Sequence, residues 1–276
     1  MLTAVLAHAD RPLEPHDLWR AWNPDVPLLL ALGIALWTYQ RGRRTGPRRD
    51  SDSWRARCFA VALVVVVVAL ISPLDALAGA LASAHMVQHV LLLLVAAPLL
   101  ALASPGTRLL RGTPPALRQA AGPLRRRLRP LRPGPAAVWV LHVGTIWFWH
   151  AAVPYDAALD NDLVHVAEHA SYLVTGLMFW QVVAGGRQAV SRGLGIMLVF
   201  TMAMQSVFLS ALLTFASGPW YSGYESTTRA WNLAPLADQQ LAGVIMWIPA
   251  GLVYLGAALA LLVRWIQATE HEVVPA

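Results

Sequence analysis

Apolar positions along the 276 residues fall in long runs, not in the alternation of strands or the one-sided stripes of helices on a soluble core. Runs near residues 57–72, 81–103, 136–152, 162–184, 193–216 and 238–266 are long enough, as helices, to cross about 30 Å of hydrocarbon. A seventh, 26–40, is shorter, but Trp22 before it and Trp37 and Tyr39 near its end supply interfacial anchors at both margins. The pattern predicts an all-α fold, an integral membrane bundle of seven transmembrane helices forming a single domain over 1–276. Pro98 should kink or end the third span near the cytoplasmic face, with Pro105 marking the exit.

The polar stretches between runs set the orientation. Residues 41–57 hold Arg41, Arg43, Arg44, Arg48, Arg49, Arg55 and Arg57, and 104–135 hold eight more arginines, so both loops read as cytoplasmic. The segments carrying Asp75, Asp156, Asp160, Asp162 and Glu225 read as extracytoplasmic, against a single Arg229. An amino terminus outside and a carboxyl terminus in the cytoplasm satisfy these biases, with Arg187, Arg192 and Arg264 also inside. Residues Met1 to Ala9 lack a basic first segment and are interrupted by His8, so no cleavable signal is expected.

Composition agrees: 57% of residues are hydrophobic, 13% are charged and the mean hydropathy is +0.51, too little polar surface to cover a soluble globule. A net charge of +6 would suggest nucleic acid on a soluble patch, but here the basic residues lie between apolar runs and report topology, so no nucleic-acid partner is expected. The arginine- and proline-rich stretch 114–135 reads as a connector facing solvent or lipid headgroups. Cys58 has no intrachain partner and reads as packing.

Candidate chemistry lies in repeated histidine spacing. His85 and His89 stand four residues apart, which puts both imidazoles on one helix face about 6 Å apart. The same spacing recurs at His165 and His169, one to two turns from the outer surface. The fourth span delivers His150 to that level, whereas His142 lies roughly 12 Å deeper and reads as a helix-packing partner. Asp238 opens the last span, and Met246 follows two turns on. Ionisable groups within spans turn to the bundle interior, so those at matching depth should converge. The expected metal ligands are His85, His89, His150, His165, His169, Asp238 and Met246. Imidazole with thioether suits copper, with Cu(I) favoured, while histidine alone also accepts zinc, iron or Cu(II). Glu168 and Asp238 are candidates to orient imidazoles or to take up protons released on binding.

Other residues read more plainly. Met202 and Met204 fit apolar packing, and His8, His16 and His271 lie in polar termini. Trp147, Trp149, Trp220 and Tyr221 fall at outer span ends, where aromatic belts form.

Three blocks give the chain a family likeness: His85-Met-Val-Gln-His89 running into Pro98, Trp147-Phe-Trp-His150 with His165-Val-Ala-Glu-His169 through Trp180, and Asp238-Gln-Gln-Leu-Ala-Gly243 through Met246-Trp247-Ile-Pro249. The sequence resembles the CtaG family of multi-spanning cytochrome c oxidase assembly proteins, associated with caa-type oxidases. That resemblance implies a non-enzymatic protein of the bacterial cell membrane that matures a haem-copper oxidase by supplying copper. Its partners would be oxidase subunits, the lipid bilayer and a copper donor protein. It also implies that His85, His89, His150, His165, His169 and Asp238 occupy the family's motif positions. No cysteine stands near the outer site, which fits a transient donor better than a tight Cu(I) trap.

Three other functions use similar residues. A membrane b-type cytochrome takes one axial histidine from each of two helices, whereas these pairs are stacked on single helices. A copper transporter would continue the path inward, with His142, Met202, Met204 and Gln205 as steps. A metal-dependent enzyme fits less well, because Glu168 adjoins the wrong histidine for the His-Glu-x-x-His order.

Overall fold

The computed structural model describes residues 13–46, 52–128, 133–184 and 190–273; Met1 to Ala9, Arg48, Arg49, Arg129, Arg132, Arg187 and the His271 side chain lie outside the described residues. Within them every regular element is helical. In chain order these are α1 (Val26–Arg44), α2 (Asp52–Leu70), α3 (Pro73–Ala78), α4 (Ala82–Val90), α5 (Ala97–Ala103), α6 (Gly106–Gly112), α7 (Pro115–Leu128), α8 (Pro135–His150), α9 (Ala152–Asp160), α10 (Asp162–Ala184), α11 (Arg192–Thr214) and α12 (Pro235–Val273).

Four stretches are long and apolar enough to cross a membrane: Asp52–Leu70, the rod Ala82–Ala103, Arg192–Thr214 and Pro235–Ala268. The pair Pro135–His150 and Ala152–Asp160, bent by 71°, makes a fifth if it is one broken span. The remaining two of the seven expected runs form helices too, but less apolar ones. α1 ends on Arg41, Arg43 and Arg44, and α10 carries Asp162, His165, Glu168 and His169 in its first two turns.

The distribution of side chains is that of a membrane protein. Outward faces are apolar, with Val61, Val64 and Val68 on α2, Phe200 and Phe208 on α11, and Leu252, Leu255 and Leu259 on α12 all exposed. The interior instead collects His85, Gln88, His89, His142, His150, Glu168, His169 and Asp238. Bilayer tails accept the first set, and only protein partners satisfy the second. The rod Ala82–Ala103 is the central element, 61% buried over its spanning window against 17% for α12 at the rim. It packs on α12, α10 and α2, while α11 pairs with α12 and α1 with α6.

Pro98 does not end its span. One wide π turn, Leu91–Ala96, precedes it, and the helix runs on to Ala103, where Ser104 turns left-handed (φ 45°). In the π register the Ala97 N–H reaches Leu92 O, so the next carbonyl, Leu93 O, would look to residue 98, which has no N–H. The Trp180 indole on α10 donates to Leu93 O instead, at 3.0 Å. A carbonyl that proline orphans is thus satisfied by a neighbouring helix, which ties the rod to α10.

Candidate metal centre

The histidines meet at the end of the bundle closed by α3, α9 and the 3₁₀ turns Ser222–Tyr224 and Thr228–Trp231. α4 contributes His85 and His89 from one face, as their spacing requires. α10 contributes His165, Glu168 and His169, related by three and four residues and so also on one face, and the last residue of α8 supplies His150. Ring centres lie 5.6 Å apart for His85 and His165, 5.6 Å for His85 and His169, 5.5 Å for His89 and His169, and 5.6 Å for His89 and His150. One donor atom each from His85, His165, Glu168 and His169 all fall within 4.8 Å of one another.

Two observations test whether this set suits a metal. His85 Nε2, His150 Nε2, His169 Nε2, both ring nitrogens of His89 and both Glu168 oxygens are buried without a hydrogen-bond partner, a costly state unless something else satisfies them. Glu168 Oε2 stands 3.4 Å from His85 Nε2, and Oε1 stands 3.4 Å from His89 Nε2. A charge-assisted hydrogen bond would close to about 2.7–2.9 Å. Donors about 2.0–2.1 Å from one tetrahedral ion stand about 3.4 Å from each other. The separations match the edge of a coordination shell better than a bonded ion pair, and the donor set fits a metal ion.

The surrounding hydroxyls fix which nitrogen faces inward. The Tyr224 hydroxyl donates to Ala78 O at 2.8 Å, so its oxygen can only accept at 3.0 Å from His85 Nδ1. His85 therefore donates from Nδ1, and Nε2 is the nitrogen that a neutral imidazole would present to the cluster as a lone pair. Tyr155 O–H donates to the same Tyr224 oxygen at 3.2 Å. Burial pushes the Tyr224 and Tyr221 hydroxyls well above the usual tyrosine range, so both stay protonated. His150 Nδ1 lies 2.8 Å from Ile146 O, a pure acceptor, with the Tyr172 hydroxyl at 3.1 Å. Its Nε2 is likewise left as a lone pair.

Asp238 and Met246 occupy different surroundings. The Asp238 carboxylate accepts from Ala82 N at 2.6 Å, Ser83 N at 3.2 Å and the Ser83 hydroxyl. It caps the amino end of α4, one turn before His85, where an anion is favoured by the exposed N–H groups. Met246 is buried and lines a cavity of about 20 Å³ with His89, His150 and Ser206. His142 binds Thr175 Oγ1 at 3.0 Å and stacks on Phe179, apart from the cluster. Met202 is buried, whereas Met204 faces outward, 46% exposed.

Sequence reasoning placed Tyr221 in an aromatic belt, yet it is 2% exposed, stacks on Tyr155 at 3.8 Å and donates to His150 O at 3.1 Å. Trp149 is also turned inward, its indole donating to Ser171 Oγ at 2.8 Å. Tyr155, Tyr172 and Tyr224 were missed altogether. Tyr172 follows His169 on α10 by three residues, a spacing that would have revealed it; Tyr224 sits in a turn with no periodic signal.

The pattern of the family described as cytochrome c oxidase caa3 assembly factor (Caa3_CtaG) matches residues 26–268. The chain belongs to the caa3 cytochrome c oxidase assembly factor family. All the histidines of the cluster, with Glu168 and Asp238, fall within the family match. The chain is also 26% identical, over 261 residues, to an uncharacterised protein of Mycobacterium bovis and to one of Mycobacterium tuberculosis. In each case the alignment covers 89% of this chain and 39% of the relative, so the chain spans about two fifths of those relatives' length. No solved structure matches it significantly.

Proposed function

We propose that this protein assists assembly of a haem-copper oxidase by holding copper, as Cu(I) in the main, at the histidine cluster and delivering it from the extracytoplasmic side. The observation that carries the reading is the inward-facing set of buried imidazole nitrogens without hydrogen-bond partners, from three helices, around a Glu168 carboxylate held 3.4 Å from two of them. The fixed tautomer of His85 supports ligation over an ion pair, because pairing with Glu168 would require a buried, doubly protonated imidazole. His85, His89, His150, His165 and His169 serve as ligands, Met246 adds a thioether, and Asp238 holds α4 so that His85 and His89 keep their place. The role is non-catalytic, and the partners are oxidase subunits and a copper donor protein.

The seven-span arrangement with the amino terminus outside belongs to the same reading. It puts the acidic segments and the cluster on one side and the arginine-rich stretches on the other, as the positive-inside bias requires.

Metal content and Cu(I) competition on detergent-purified protein test this, comparing the parent with a His85→Ala, His89→Ala, His165→Ala, His169→Ala variant. Copper bound by the parent and lost by the variant is expected. Equal binding by both, or a Soret band with stoichiometric iron in the parent, overturns the proposal.

A further inference from the structure

Glu168 does not face one group of histidines but stands between two. Its Oε2 lies against His85 Nε2, and its Oε1 against His89 Nε2, each at 3.4 Å. His85 belongs to the group with His165 and His169, whose donor atoms, with Glu168, lie within 4.8 Å of one another. His89 is one helical turn along α4 and lies outside that group. Its ring lines the small cavity shared with His150 and Met246. At about 20 Å³ the cavity has room for a single water-sized body. Buried ring nitrogens without hydrogen-bond partners occur on both sides: His85 Nε2 and His169 Nε2 on one, both His89 nitrogens and His150 Nε2 on the other. The two compartments also differ in chemistry. Three imidazoles and a carboxylate suit Cu(II) or zinc, whereas two imidazoles and a thioether suit Cu(I).

We infer that the cluster is a two-ion site, in which Glu168 bridges an ion held by His85, His165 and His169 to a second, softer site made by His89, His150 and Met246. The inference rests on the proposed function and goes beyond it in number and in division of labour. Carboxylate-bridged ions stand about 3.5–4 Å apart, and the His85 and His89 rings are centred 4.5 Å apart, so adjacent turns supply the two ions without rearrangement of the backbone. The arrangement gives a copper ion two successive residences, the second one turn deeper and richer in sulfur.

Copper per chain distinguishes the possibilities, measured on purified full-length protein loaded with Cu(I) and separately with Cu(II). The parent is expected to bind two ions. His165→Ala with His169→Ala should bind one, retaining the sulfur contribution in its Cu(I) X-ray absorption spectrum. His150→Ala with Met246→Leu should also bind one, with that contribution lost. In each variant the surviving ion reports that the fold is intact. Met246→Leu alone, which preserves volume, should keep two ions and lose only the sulfur signal. One ion in the parent, removed by either double variant, overturns the two-ion site and leaves the proposed function standing. A parent without a sulfur signal overturns the assignment of Met246 in the same way. No copper in the parent overturns the proposed function itself.

Discussion

At the residue scale the candidate centre depends on groups outside its own donor set. The Tyr224 oxygen accepts from His85 Nδ1 and from Tyr155, while its own proton goes to Ala78 O. Tyr224→Phe frees the His85 tautomer and leaves a buried carbonyl unpaired. Copper affinity should fall about 10–100-fold, the cost seen when a ligand histidine loses its outer partner, with a stability loss of about 1–3 kcal/mol. Competition titration and thermal unfolding read the two effects, and unchanged affinity would remove Tyr224 from the site. The convergence of the histidine pairs His85/His89 and His165/His169 was legible because helical spacing alone puts each pair on one face. The role of Asp238 was only half legible: its depth pointed to the site, but its bonds go to Ala82 N and to Ser83, 156 and 155 positions away, a pairing that no single sequence displays. Tyr221 was misplaced for a related reason. An aromatic at a span end fits a belt equally well on the lipid face or the protein face, and packing against Tyr155 decides between them.

Among the elements, the rod from α4 to α5 shows how local sequence and neighbours share one problem. Pro98 signalled a break, correctly in that a hydrogen bond is missing; the chain absorbs the loss in a π turn and a Trp180 indole, so the helix runs on. Removing the indole with Trp180→Phe should cost about 1–3 kcal/mol, since Leu93 O is then buried without a donor. In a Pro98→Ala background the residue regains an N–H, and the same change should cost less. A double-mutant cycle on thermal or denaturant stability measures the difference; additive costs would mean that Trp180 stabilises by packing alone. Close approach matters elsewhere. A Cβ on Gly42 of α1 would overlap the Arg108 carbonyl of α6, and one on Gly112 would overlap that of Thr38, so only glycine permits the two helix backbones to approach this closely. These glycines carry no sequence signal beyond their identity, because the partner helix lies far along the chain.

For the whole molecule, charge and hydropathy made the bundle legible while leaving its weaker spans ambiguous. α2, the rod, α11 and α12 each hold a window apolar enough to span a membrane, whereas α10 loses apolarity through the polar residues of its first two turns. A helix whose first turns carry His165, Glu168 and His169 is tolerable in a bilayer only with those groups turned to protein, and Glu168 and His169 are indeed buried. Functional content and span recognition therefore pull in opposite directions along α10. The proposed orientation rests on the arginines. α7 carries Arg118, Arg125, Arg126 and Arg127 with Leu117 and Leu124 exposed, a composition suited to lying against an anionic leaflet. Single cysteines in a Cys58→Ala background, placed at the exposed positions Ala120 on α7 and Ser226 beside the 3₁₀ turns, test the topology with a membrane-impermeant thiol reagent on intact cells. Labelling at Ser226 and protection at Ala120 until the membrane is opened are expected. The reverse pattern would turn the cluster to the cytoplasm and reverse the direction from which metal reaches it, and equal labelling at both would mean that the chain crosses the membrane an even number of times between them.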